Sequence, residues 1–241
     1  MKKSRWKYLL VSFICASFVC LLYITQGNGA ELIEIDNNTV ESSTAESNTR
    51  GLLEGKTIMI DPGHGGVDGG TVGLFYGTSE KEVNLIVAQN IKRELEERTA
   101  ATVTLTRDQD IDLGRNQKEA LRKRMQITDD VSADLYISIH HDAFTDPSVN
   151  GITVHYSSLQ IESKKLAKIL NSSIFKQNIH AKNRGIRDSA YYVLKNNSAP
   201  AVLLELGFTS NKEDEIRMVS KEFQSKTAAS IVDGIIEFFA T

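Results

Sequence analysis

The chain has 241 residues, with 28 lysines and arginines against 31 aspartates and glutamates, a net charge of −3 at neutral pH. That balance excludes the broad basic field that binding to a phosphate backbone requires, so nucleic acid is not an expected partner. The length suits one well-cored domain behind an N-terminal extension, and both cysteines, Cys15 and Cys20, fall in that extension, so the domain needs no disulfide.

In the extension, Lys2, Lys3, Arg5 and Lys7 precede an uncharged, largely apolar run over residues 8–24. Basic residues before an apolar stretch mark an export segment, read here as residues 1–30. The run is at the lower edge of what spans a bilayer, so a membrane anchor and a cleaved signal are both open. Asn28 and Gly29 make a poor cleavage site before Ala30, which favours the anchor. The basic flank puts the N-terminus in the cytoplasm and the rest of the chain outside. Residues 31–50, rich in Glu, Ser, Thr and Asn, read as a flexible acidic linker.

From residue 51 to 241 strand and helix signals alternate, which predicts a single α/β domain with a largely parallel twisted sheet flanked by helices. A strand over 57–60 runs into Asp61-Pro62-Gly63-His64-Gly65-Gly66, where proline and glycines end it in a tight loop. Residues 81–97 carry Val83, Leu85, Ile86, Ala88, Ile91 and Leu95 at helical spacing. Strands are expected over 102–106, 135–140, 151–156 and 202–206, and helices over 117–128, 162–175 and 221–239. His64, His140 and Glu205 then stand at or near the carboxyl ends of strands, the edge where open α/β sheets bind ligands.

Four residues could carry chemistry: His64, Glu80 at the entry to the first helix, His140 and Glu205. Two imidazoles and a carboxylate, His64, Glu80 and His140, would make a catalytic zinc set with a position left open for water. Their separations match no short metal-binding motif, so spacing alone leaves other readings standing. His64 could cap a turn, Glu80 could stabilise the helix N-terminus with Ser79 as N-cap, and His140 could be a satisfied buried histidine. Glu205, between Leu204 and Leu206, needs a buried ion pair or a chemical role, because an isolated carboxylate in an apolar strand is costly.

At these residues the chain resembles the zinc-dependent N-acetylmuramoyl-L-alanine amidase family of bacterial cell-wall turnover. The resemblance runs over about residues 56–239 and rests on IDPGHGG (60–66), SEKEVNL (79–85), LTR (105–107), ADLYISIH (133–140) and PAVLLELGFTSN (200–211), in that order. It implies that His64, Glu80 and His140 bind one zinc ion and that Glu205 is the catalytic carboxylate. The implied reaction is metal-assisted hydrolysis of the bond between N-acetylmuramic acid and L-alanine in peptidoglycan, Glu205 taking the proton from water and delivering it to the departing nitrogen. Two other functions compete: a zinc peptidase acting on stem peptides, and a non-catalytic wall-binding regulator.

Other positions carry narrower expectations. Asp61 either orients His64 or caps the turn, and Gly63, Gly65 and Gly66 serve the loop's backbone geometry. Where many members read SIHAN, this chain has Ser138-Ile139-His140-His141-Asp142; strand alternation turns His140 towards the site and His141 away. His155 and His180 match no motif and are expected in packing or at the surface. Arg107 and Arg124 either grip a substrate carboxylate or pin a loop, with pinning favoured, and the basic segment 182–187 reads equally as a peptide contact and as a solvated loop. The 65 residues from His140 to Glu205 leave little room for the occluding helix that some members insert, so limitation by a membrane-protein activator is the expected alternative.

Overall fold

A computed structural model describes residues 53–241. The export segment and linker expected over residues 1–50 lie outside the described residues, and among the described residues no helix is long and apolar enough to cross a membrane. The elements in chain order are β1 (Thr57–Pro62), α1 (Glu80–Arg98), β2 (Thr102–Leu105), α2 (Gln117–Asp130), β3 (Leu135–Asp142), β4 (Ile152–Tyr156), α3 (Ile161–Lys176), β5 (Asn183–Asp188), α4 (Tyr192–Lys195), β6 (Ala201–Phe208), α5 (Lys212–Met218) and α6 (Lys221–Ala240). The six strands form one sheet in the order β2-β1-β3-β6-β4-β5, parallel at every pairing except β6 with β4.

Strands β1 and β6 are buried almost end to end, as continuous apolar runs in the middle of a covered sheet should be. Helix α1 buries Val83, Val87, Ala88, Ile91 and Leu95, one stripe at 3.6-residue spacing, and has Glu80 and Glu82 in its first turn, where the helix dipole favours negative charge. Helix α2 starts at Asn116, whose side chain accepts from the Glu119 backbone N–H, and α6 starts at Ser220, which caps Phe223.

Three elements were not expected from the sequence. Segment 182–187, open between a peptide contact and a solvated loop, contains most of edge strand β5, paired with β4 from Ile152 to Tyr156. Its sequence NRGIRD has no apolar alternation because an edge strand is half solvated and carries charge against further pairing. Helix α4 is a single turn. Helix α5 is mostly charged and is started by Asn211, which accepts from the backbone of Glu213 and Asp214.

The two sheet faces differ. On one, Ile58, Ile60, Leu135, Ile137, Ile139, Val202 and Leu204 meet α1, α3 and α6 in the main core. On the other, Met59, Tyr136, Ala201 and Leu203 meet a smaller set, Met125 of α2 and Val193 and Leu194 of α4, with partly buried Leu121, Ile127, Val131 and Ala133 at its margin. In register along this thinner face stand Asp61 with Ser138, and His140 with Glu205. The smaller covering leaves the carboxyl end of the face open. There the order β2-β1-β3 reverses direction about β1, which is the crevice where open α/β sheets take ligands.

Candidate metal centre

His64 leaves the end of β1, Glu80 opens α1 and His140 lies near the end of β3. Their donor atoms all lie within 4.8 Å of one another. Glu80 Oε1 is the focus, 3.1 Å from His64 Nε2 and 3.2 Å from His140 Nδ1. Its Oε2 accepts from Thr71 N at 2.7 Å and Thr71 Oγ1 at 3.0 Å, which fixes the carboxylate from behind.

The backbone before His64 is held under tension. His64 has φ 61°, the left-handed region that a non-glycine residue enters only when its surroundings hold it there. Arg107 Nε and Arg124 Nη2 each donate to the His64 carbonyl at 2.7 Å, and both guanidinium groups also take the Pro62 carbonyl. Arg107 further takes Gly63 O and Lys81 O. Both arginines are buried and spend these guanidinium N–H groups on the loop's carbonyls, the pinning role favoured from the sequence.

Asp61 does not touch the His64 ring. Its carboxylate accepts from Thr106, Tyr136 and Ser138 and pairs with Arg124. Burial would raise its pKa, but the Arg124 charge and these hydrogen bonds bring it down to about 2. The ring is oriented by Asp68, whose Oδ1 lies 2.9 Å from His64 Nδ1. Sequence reasoning missed Asp68, although a carboxylate four residues after the histidine in the same glycine-rich loop was a readable signal.

The donor set fits a divalent cation on chemical grounds. A carboxylate only accepts, so His64 Nδ1 donates to Asp68 and a neutral ring turns the bare lone pair of Nε2 towards Glu80 Oε1. Only a proton or a cation between those atoms makes that contact favourable. The pKa directions reflect the same attraction. Burial pulls His64 down but Glu80 and Asp68 raise it overall, and burial pushes Glu80 up while His140 and His64 take it well below the carboxylate range. Space is reserved as well: a Cβ on Gly63 would stand 2.2 Å from the His140 ring, and one on Gly70 would stand 2.5 Å from Glu80 Oε2.

Glu205, in register with His140, is buried and its Oε2 has no hydrogen-bond partner among the described residues. The ion pair considered for it is absent there. Burial, with Asp142 and Glu80 adding negative charge, pushes its pKa well above the usual range. The cleft over these groups has a volume of about 310 Å³ and is also lined by Tyr191, Tyr192 and Asp142. His155 is buried against Tyr191, with ring centroids 5.2 Å apart, and bonds Ser189 Oγ at 2.6 Å, while His180 is exposed. His141 places its ring against α1, with Nδ1 2.8 Å from Asn84 Oδ1.

The model of the family described as N-acetylmuramoyl-L-alanine amidase matches residues 58–237. The chain belongs to that family. A germination-specific amidase of this type from Bacillus subtilis is 34% identical over 195 residues, covering 78% of this chain and 81% of the relative. A probable cell wall amidase of Staphylococcus aureus is 37% identical, over 83% of this chain and 63% of its own length. An uncharacterized cell wall amidase of Bacillus anthracis is 33% identical, over 85% of this chain but only 39% of its own length. The chain thus spans less than two thirds of two of these relatives. Among solved structures, the CwlD amidase of Clostridioides difficile in complex with the GerS lipoprotein superposes with a TM-score of 0.71 at 31% identity, over 77% of this chain and 98% of that one. The amidase family therefore accounts for the sheet and for the whole cleft-bearing domain.

Proposed function

We propose that the chain is a zinc-dependent N-acetylmuramoyl-L-alanine amidase that hydrolyses the amide bond between N-acetylmuramic acid and L-alanine in peptidoglycan. The observation that carries the reading is Glu205: a buried carboxyl with a raised pKa and no partner among the described residues, level with His140 beside a cluster of metal-ligand type. A purely structural carboxylate would be paired, as Asp61 is.

In this reading His64, Glu80 and His140 hold one zinc ion. When bound, the ion supplies Lewis acidity to the attacking water and to the lactyl carbonyl. Glu205 takes a proton from that water and passes it to the departing alanine nitrogen, a transfer suited to a carboxyl that holds its proton tightly. Asp68 keeps the His64 tautomer that turns Nε2 inward, and Thr71 holds Glu80 against rotation.

The same proposal places residues 51–241 as the catalytic domain outside the membrane. Residues 31–50 form its linker and 1–30 an export segment retained as an anchor, with secretion after cleavage as the alternative. The charge pattern of the first 30 residues and the cell-wall naming of the relatives support that arrangement. A protein activator at the membrane is part of it, since a related amidase is found in complex with a lipoprotein.

The test is incubation of the zinc-loaded full chain with purified peptidoglycan, with a chelated control, and mass spectrometry of the products. A new L-alanine amino terminus with intact glycan is the expected result. Cleavage between stem amino acids would instead establish a zinc peptidase, and binding without products a wall-binding regulator.

A further inference from the structure

His141, next to last in β3, borders the cleft but turns its ring into the helix layer, against Asn84 of α1. By strand alternation its ring lies on the opposite face of β3 from the His140 ring, and it is 1% exposed. That position is wrong for a fourth ligand, yet the ring is tied to the metal cluster through Asn84, a fully buried side chain on α1, one turn after Glu80.

The Asn84 amide has only one orientation that satisfies its neighbours. Its Nδ2 is 3.3 Å from Glu80 Oε1 and 3.3 Å from the Gly63 carbonyl, two acceptors that require the NH2 end. The Oδ1 end therefore faces His141 Nδ1, 2.8 Å away, and Nδ1 must carry the hydrogen. His141 Nε2 has no partner among the described residues, so a hydrogen placed there would be a buried donor without an acceptor. The tautomer is thereby set. The same residue also donates its backbone N–H to Glu80 Oε1 at 3.2 Å.

We propose that His141 is a positioning residue of the metal centre: through Asn84 it holds the Glu80 carboxylate and the Gly63 backbone in the ligand-ready arrangement. This rests on the zinc reading above.

The test measures zinc affinity of the full chain by competition with a chromophoric chelator, for the natural protein, His141→Phe, His141→Asn, Asn84→Ala and the double variant His141→Phe with Asn84→Ala. His141→Phe keeps the ring volume and loses the donor; zinc affinity is expected to fall about 10- to 100-fold, the usual effect of removing a group that orients a ligand. His141→Asn places an amide N–H near the lost Nδ1 and is expected to restore most of that affinity. The double variant should bind zinc no worse than Asn84→Ala alone, because the two residues act in series.

Natural affinity in His141→Phe, no rescue by His141→Asn, or additive losses in the double variant would each overturn the proposal. Should His141→Phe fail to fold, nitrogen-15 spectra of the natural protein decide: the His141 ring protonated at Nδ1 supports it, and protonation at Nε2 overturns it. If the natural protein binds no zinc, the metal reading fails and this inference falls with it; tight natural binding with an unaffected His141→Phe sinks this inference alone.

Discussion

Two buried carboxylates stand near the carboxyl edge of the same sheet, Asp61 on β1 and Glu205 on β6. Asp61 accepts from three hydroxyls and a guanidinium, and its pKa falls to about 2. Glu205 is in register with a histidine, has an oxygen without a partner among the described residues, and its pKa rises well above the usual range. Burial is common to both; the donors are not. A fully bonded buried charge belongs to the scaffold, whereas an unbonded one is a cost that folding alone does not explain. The contrast separates the loop-pinning side of the site, with Arg107 and Arg124, from the side that the proposed function makes the reacting one.

The largest effect that could break this contrast lies at Glu205. Glu205→Gln is expected to cut peptidoglycan hydrolysis by about 10²- to 10⁴-fold, the usual contribution of a proton-transferring group, while melting temperature holds or rises. Equal losses of rate and stability would return Glu205 to the scaffold. At Asp61 the pattern reverses. Asp61→Ala leaves the Arg124 charge buried without its partner and is expected to cost about 3–5 kcal/mol of stability in urea unfolding, with the specific activity of the surviving folded fraction little changed.

Acid titration of stability, followed in chelator to exclude metal effects, sharpens the same comparison. The folded pKa of Asp61 is depressed from 3.8 to about 2, so its contribution, on the order of 2 kcal/mol, is fully present above pH 3.8 and is lost as pH falls through 2. Glu205 has the opposite sign. Its folded pKa is raised, so stability is present below its ordinary value of 4.5 and erodes as pH rises above that value. The stability gained in Glu205→Gln should accordingly appear only above about pH 4.5 and grow with pH. The smallest effect is the control: removing the exposed pair Lys176 and Glu237, 3.3 Å apart on α3 and α6, should change stability by less than about 0.5 kcal/mol.

Much of this layout was readable in the residues. Apolar runs marked the buried strands, and the DPGHGG turn after the first of them put a histidine at the sheet edge. Edge strand β5 was not readable, because a charged, half-solvated strand looks like a loop until its partner is known. The sequence leaves Asp61 open between orienting His64 and capping the turn; Asp68 is the carboxylate on the His64 ring, and that depended on the path of the loop. Asn84 was overlooked, though a lone amide among Val83, Val87 and Ala88 on a buried stripe indicated a polar partner.

By itself the sequence determined an α/β domain with histidines at strand ends and a glutamate at a helix start, and its ordered blocks led to the amidase family, because periodicity and short-range turn chemistry are local properties of the chain. Only the tertiary structure decided which carboxylate is satisfied and which is not, that both arginines serve the His64 loop, and that His141 reaches Glu80 through Asn84. Those facts depend on contacts between residues as far as 77 positions apart, such as Ser138 with Asp61. Burial and hydrogen bonding act on atoms brought together by the sheet, and no pattern along one strand states what stands beside it.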